Sequence, residues 1–351
     1  MPSARSETHT DTEQAGPALR RRELIALAVG LPVSALLLAK AVQGIDLGSV
    51  WSTLEGADLV RLVLAGMAMA MVYVLQAARW RFIARRYGRL PMRSALSYVI
   101  GGVAVNNVVP GRPGELARAY WISGALHIPK ARGLSTVIVD RAADVLTLIA
   151  FVAVTYAFVP HPPWVRDLAI AALVLGGLLL AAFLTCRWYV ARRERSGKGI
   201  PEHLRALWLV RQVAQVVRGT AATVTARDAA VIGAASIAAW SVWGLSAYLT
   251  ASALMIHLSL TEVLFVTAMV NLGVSIPSSP GFIGTYQWLC VSALGLFGVN
   301  KGDAFAFSVL MHAVWFVPTT LVGAALVVLH GSSLRRIRTE SITPAMGEPA
   351  R

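Results

Sequence analysis

Apolar runs of about 20 residues recur along this 351-residue chain, and no other feature constrains its fold as much. They lie at about 24–42, 59–78, 134–159, 168–186, 229–256 and 304–329. Each is near the length a helix needs to cross a hydrocarbon core about 30 Å thick. Within such a core every backbone amide must find an internal partner, so these runs are expected to be helices. Composition agrees: 56% of residues are hydrophobic and 14% charged, against about 45–50% and about 25% in soluble domains. A soluble enzyme, a disordered chain and a coiled coil are excluded, and an all-α polytopic membrane protein is expected. The first run follows Arg20-Arg21-Arg22, and Ala39-Lys40-Ala41 resembles a signal cleavage site. Its length favours an uncleaved helix. Residues 1–19 and 336–351 are polar and read as cytoplasmic tails, the first of them disordered.

Two further apolar regions, 94–126 and 261–298, are each broken near the middle by proline and glycine. Arms such as 94–109 and 263–276 would reach only about 21–24 Å at about 1.5 Å per residue. Short arms around a break predict re-entrant hairpins, whose freed backbone groups must sit inside protein or beside water. The breaks share a pattern. Pro110, Pro113 and Gly114 in the first match Pro277, Pro280 and Gly281 in the second, and Trp121 and Trp288 follow at equal distance.

Charge sets the expected orientation. The chain carries 32 Lys+Arg against 18 Asp+Glu, a net +14. The cations gather after the second run (Arg79, Arg81, Arg85, Arg86, Arg89, Arg93), between Arg187 and Arg227, and after the last run. The opposite loops hold Asp46, Glu55, Asp58 and Asp167. The positive-inside rule then places both termini in the cytoplasm of a cell with this protein in its inner membrane. The order becomes helix, helix, hairpin, helix, then the same again. Three crossings per half is odd, so the expected architecture is two inverted repeats, about 24–159 and about 168–329, within a transmembrane domain of 20–335. Inverted repeats with broken helices are a transporter arrangement. Between them, the segment at about 187–227 reads as a cytoplasmic amphipathic helix, with Leu204, Leu207, Val210, Ala214 and Val217 at helical spacing.

Polar residues concentrate in three places. The first hairpin carries Asn106, Asn107, Pro110, Gly111, Arg112, Pro113, Gly114, Glu115 and Arg118. Proline and glycine are expected to end one helix and turn the chain into another near Glu115. The new N-terminus would attract an anion, and Arg112 and Arg118 add the fork geometry that suits phosphate. Glu115 and Arg118, three apart, lie on one face and are able to pair. The second constellation is Asp140, Arg141 and Asp144 in the third run, where Asp140 and Asp144 share a helix face and Arg141 can pair with Asp144. Charges there cost about 2.5–3.5 kcal/mol each on insertion scales, so they should face inward and pair. Three cations and three anions would make a neutral cluster. The third place is the second hairpin, uncharged, where Ser278, Ser279, Gln287 and the hinge residues Pro277, Pro280, Gly281 and Gly284 offer hydroxyl and amide donors. His312, inside the last run, is a candidate proton carrier.

No nucleotide-binding G-x-x-x-x-G-K-[ST] and no G-x-S-x-G occur. Cys186 and Cys290 form no C-x-x-C, and the histidines lack ligand spacing, so neither a metal nor another cofactor is expected. The basic balance is explained by loops and does not point to nucleic acid.

At these motifs the chain resembles the flippase-like transmembrane family of lysylphosphatidylglycerol synthases. The resemblance rests on Asn107-x-x-Pro110-Gly-Arg112-x-Gly114-Glu115-x-x-Arg118, on Asp140-Arg141-x-x-Asp144, and on Pro277-Ser-Ser-Pro280-Gly281-Phe-Ile-Gly284. It implies movement of lipids between leaflets. The expectation is therefore a translocase, not an enzyme, that carries a phosphate-bearing phospholipid or polyprenyl-linked lipid with an anionic headgroup. The alternatives are an intramembrane enzyme acting on a lipid-linked substrate, or a membrane subunit docking a glycosyltransferase or other lipid-modifying partner.

Overall fold

The computed structural model describes residues 30–160, scattered positions between 162 and 196, 225–274 and 279–340, with side chains described through residue 328. The expectations for the terminal tails, the 168–186 run, the amphipathic segment, Pro277 and Ser278 lie outside these residues, wholly or in large part. Every regular element described is helical.

The first apolar run ends in a bend. Helix α1 (Gly30–Val42) meets α2 (Leu47–Glu55) at 83°. Gly44 turns the chain at a φ of 76°, and Asp46 caps α2 by accepting from the Gly48 N–H at 2.9 Å. The expected single crossing is thus one arm of a bent pair. Asp58 caps α3 (Leu59–Ala84) through the Val60 and Arg61 amides. This helix runs past the end expected at residue 78, because Gln76, Arg79, Trp80 and Ile83 continue its buried face.

Helix α4 (Met92–Val108) and α5 (Gly114–Leu126) form the first hairpin. Tyr98 lies against Trp121 with ring centroids 5.8 Å apart. Gly102 and Gly114 let the arms touch: a Cβ built on Gly114 would sit 2.0 Å from the Gly102 oxygen. Helix α6 (Lys130–Tyr156) follows. After the sparsely described region comes α7 (Ala226–Ala253), started by a capping box in which Thr225 and Asp228 exchange hydrogen bonds. The second hairpin comprises α8 (Leu260–Val274), a 3-10 turn (Pro280–Phe282) and α9 (Thr285–Gly295). Its arms also fold back, with Phe265 edge-on to Phe297 at 6.0 Å. The long helix α10 (Lys301–Glu340) contains Pro318.

At about 1.5 Å per residue the arms of both hairpins fall short of a 30 Å core. By length and apolarity, α3, α7 and residues 301–328 of α10 qualify as crossings, with α1–α2 a fourth if the bent pair is one span. Helix α6 has the length, but carries Asp140, Arg141 and Asp144 in its middle. Leu59, Val60, Val63, Met67 and Met71 of α3 form an exposed apolar face.

Helices α3 and α7 run antiparallel and are tied at both ends. The Asp58 N–H donates to the Ala253 carbonyl at 3.0 Å. At the opposite end Arg85 and Arg86 donate to Asp228 at 2.6 and 3.0 Å. The remaining packing is reciprocal: α4 lies on α10 while α8 lies on α6, and α5 lies on α6 while α9 lies on α10. The two hairpin tips are thereby brought face to face at the centre of the bundle.

Candidate functional site

The centre of the bundle holds a network of charges. Arg79 of α3 is 2% exposed. It reaches Asp140 of α6 through Nε at 2.9 Å and Nη2 at 2.8 Å. Its Nη1 donates to Asp144 and to Ser236 of α7, each at 2.7 Å. Arg118 of α5 donates to the other Asp140 oxygen at 2.9 Å and stacks over Trp80, 4.3 Å from the ring centroid. Arg141 contacts both Asp140 and Asp144 at 3.1 Å. Trp240 of α7 donates its indole N–H to Asp144 at 3.0 Å. One wholly buried carboxylate, Asp140, therefore gathers three guanidinium groups from three helices. Such an arrangement offsets the desolvation of charge only when the pairing is this complete.

Beside the network lies a cavity of about 360 Å³. Arg112, Glu115, Arg118, Arg141 and Asp144 supply its charged wall. Trp240, Trp243, Trp315, Tyr73 and Tyr286 supply an aromatic one, and Gln76, Asn106, Asn107 and Asn271 line it with amides. Of the network, Arg141 is the member most open to this space, with 40% of its side chain accessible. Arg112 projects from the tip of the first hairpin, in the left-handed region at φ 57°. It crosses to the second hairpin, donating to the Val274 carbonyl at 3.1 Å and lying 4.7 Å from the Phe282 ring centroid. Asn106 ties its own hairpin together: its Oδ1 accepts from the Gly114 N–H at 2.6 Å and its amide donates to Glu115 at 3.0 Å. The first amide of α5 is thus occupied by a side chain. Asn107 donates to Thr320 at 2.8 Å, next to Pro318.

The structure brings Asn106, Asn107, Arg112, Glu115, Arg118, Arg141 and Asp144 to one cavity, with Asp140 directly behind. Three expectations change. Glu115 and Arg118 form no ion pair with each other, because Arg118 turns to Asp140 instead. Arg79 is no loop cation: it is the most enclosed arginine of the network. Its inclusion makes four arginines face three carboxylates, so the cluster carries one positive charge where neutrality was expected.

The second hairpin is arranged differently. Ser279 and Gln287 are buried but do not line the cavity. The Ser279 hydroxyl donates to the Ile283 carbonyl, and its amide donates to Ser34 of α1 at 3.0 Å. Gln287 accepts from the Gly284 N–H at 2.7 Å, so its NH2 group donates to His312 Nδ1 at 2.9 Å. A neutral His312 then carries its proton on Nε2. The ring stacks on Trp315 at 4.8 Å and does not line the cavity. Among the described residues, no group of three or more His, Cys, Asp or Glu is placed to hold a metal ion.

Residues not singled out from sequence include Arg79, Ser236, Gln76, Tyr73, Trp240 and Trp243. A signal for Arg79 was present: it continues the helical face of Met69, Val72 and Gln76, whereas Arg81 and Arg85 point elsewhere.

Comparison with known proteins bears on the same elements. The family model "Lysylphosphatidylglycerol synthase TM region" matches residues 24–323. The chain belongs to this family. The match covers both hairpins, α6 and the cavity, and bears out the resemblance drawn from their motifs. Glycosyltransferase AglD of Haloferax volcanii is 24% identical to this family member over 93% of the chain and 57% of its own length. A UPF0104 membrane protein of Methanocaldococcus jannaschii is 30% identical over 34% of the chain and 37% of its own length. One of Methanothermobacter thermautotrophicus is 22% identical over 88% of the chain and 96% of its length. The chain thus spans little more than half the length of AglD.

Proposed function

We propose that this protein moves a phosphate-bearing phospholipid or polyprenyl-linked lipid between the leaflets of an inner membrane, without ATP hydrolysis. The carrying observation is the single surplus positive charge, held by a paired arginine network on the wall of a cavity between two broken helices. An unbalanced charge at that depth is costly. A bound anion would neutralise it, and a lipid brings one in its headgroup. Arg118 and Arg141 would bind the phosphate, with Arg79, Asp140 and Asp144 positioning them.

The two halves are read as inverted repeats. The antiparallel course of α3 and α7 and the reciprocal packing of the hairpins support this. Cation-rich loops around Arg85 and Arg86 favour a cytoplasmic location for that end and for both termini. Rocking of one repeat against the other would expose the cavity to each leaflet in turn, and the Arg112 contact with Val274 and Phe282 would be remade at each swing.

The test is reconstitution of purified protein into vesicles carrying headgroup-labelled lipid. Exchange of label between leaflets above the protein-free rate supports the reading. Retention of label in one leaflet, with lipid of unchanged chemical composition, overturns it.

A second reading has one observation behind it, the likeness to a protein named as a glycosyltransferase over part of its length. In that reading the chain is a membrane subunit that presents a lipid-linked substrate to a separate glycosyltransferase. Vesicles that stay inert until such an enzyme is added would favour it.

A further inference from the structure

The residues lining the proposed headgroup site leave five buried polar atoms without a hydrogen bond: the donors Arg118 Nε, Arg141 Nε and Trp315 Nε1, and the acceptors Asn107 Oδ1 and Asp144 Oδ2. Arg118 is 4% exposed and Asn107 is 3% exposed, and both line the cavity. Arg118 Nε, a donor, and Asn107 Oδ1, an acceptor, have no hydrogen-bond partner. Leaving buried polar atoms unpaired is costly, so each marks the kind of group that should meet it. A phosphate oxygen satisfies the Arg118 donor. It cannot satisfy the Asn107 acceptor, which needs a hydroxyl or an N–H.

Charge narrows the choice. With a surplus of one positive charge, a ligand of charge −1 brings the site to neutrality. A phosphomonoester dianion would overshoot, and a zwitterion would leave the surplus uncompensated. Asp144 Oδ1 accepts from Arg79 and Trp240, and Oδ2, which accepts no hydrogen bond, lies 3.1 Å from the Arg141 guanidinium. An ammonium at Oδ2 would lie against the Arg141 cation. The rest of the wall is neutral and flat. Trp240, Trp243 and Trp315 follow one another with ring centroids 5.2 and 6.4 Å apart, suited to the C–H faces of a polyol or sugar.

We infer that the cavity selects a phosphodiester headgroup of charge −1 whose second substituent is an uncharged hydroxylated group, a glycerol or a monosaccharide. The phosphate lies at Arg118 and Arg141, and a hydroxyl donates to Asn107 Oδ1. The inference rests on the reading of this cavity as a headgroup site.

Binding of short-chain lipids to the full-length protein, followed by native mass spectrometry, tests it. The probes are dioctanoyl phosphatidylglycerol, phosphatidylethanolamine and phosphatidate, together with a short prenyl-phosphohexose. Phosphatidylglycerol, the prenyl-phosphohexose or both should bind at least about tenfold tighter than the other two, the size of effect expected from one charge-assisted hydrogen bond. The tighter of the pair distinguishes a glycerophospholipid source from a prenyl-linked one. Asn107→Leu should remove the preference over phosphatidate. Asn107→Asp keeps an acceptor but cancels the surplus charge, and should shift preference toward phosphatidylethanolamine. Equal binding of all four probes, or tightest binding of phosphatidate or phosphatidylethanolamine by the unaltered protein, overturns the inference. Selective binding without transbilayer exchange would leave it standing and remove the translocase reading; exchange without selectivity would do the reverse.

Discussion

The two hairpins use one backbone device for different chemistry. Each breaks an apolar run with proline and glycine, folds one short arm against the other, and turns through left-handed residues: Gly111 and Arg112 in the first, Gly281 and Phe282 in the second. In the first, the tip and second arm carry Arg112, Glu115 and Arg118, tied by Arg118 to the buried Asp140 carboxylate of α6. In the second, the corresponding stretch is neutral, closed by Ser34, Gln287 and His312 and packed with aromatic rings. The break creates space and exposed backbone, whereas the chemistry offered to a ligand depends on which hairpin carries charge. The first presents the ionic wall of the cavity. The second supplies Phe282 and Tyr286 to its apolar side.

The largest expected effect is on the charged side. Asp140→Ala leaves Arg79 and Arg118 facing each other without their shared carboxylate. It should cost about 3–5 kcal/mol, read as a loss of folded yield or a lower unfolding midpoint in detergent. A near-neutral result would break the comparison, since the network would then not hold the first hairpin to α6. Next are the glycines, where the hairpins should behave alike. A Cβ at Gly114 would lie 2.0 Å from the Gly102 oxygen, and one at Gly284 would lie 2.1 Å from the Ser34 oxygen. Gly284 also has a φ of 88°. Alanine at either position should cost about 1–3 kcal/mol or more by overpacking, measured by the same unfolding assay. A large effect in one hairpin alone would show that only one turn is closely packed.

Much of this was legible in the sequence, and the failures are instructive. Both breaks, their Pro-x-x-Pro-Gly pattern and the inward turn of Asp140 and Asp144 follow from local rules: run length, helix breakers and the cost of charge in an apolar stretch. Arg79 escaped because it stands next to cations that do lie in a loop, and its partners are 61 and 65 residues away. The aromatic wall escaped because a tryptophan in an apolar helix is unremarkable until another helix brings it beside a charge. The bend between α1 and α2 falls just past the apolar run, at Gln43-Gly44-Ile45-Asp46, where local composition reads as an ordinary loop and does not set the direction of the next helix.

Smaller effects should sharpen the contrast on the neutral side. Gln287→Leu removes the partner of the Gly284 N–H and of His312, and should cost about 1–3 kcal/mol of stability. It changes no charge. Ser34→Ala, which loses the Ser279 amide and the Thr285 hydroxyl as partners, should cost about 0.5–1.5 kcal/mol. Unfolding in detergent checks both, and a cost for Ser34→Ala above that of Asp140→Ala would reverse the ordering of the two sides.

The most direct measurement is the rate of lipid exchange between leaflets, per folded molecule, for Arg141→Gln beside Gln287→Leu. Arg141→Gln removes the surplus charge at its most accessible point, while Arg79 and Arg118 still hold Asp140. The predicted result is a loss of at least about tenfold for Arg141→Gln, with Gln287→Leu near the unaltered rate. Equal rates for Arg141→Gln and the unaltered protein, with both folded, would contradict the claim that the charged hairpin and its network carry the function.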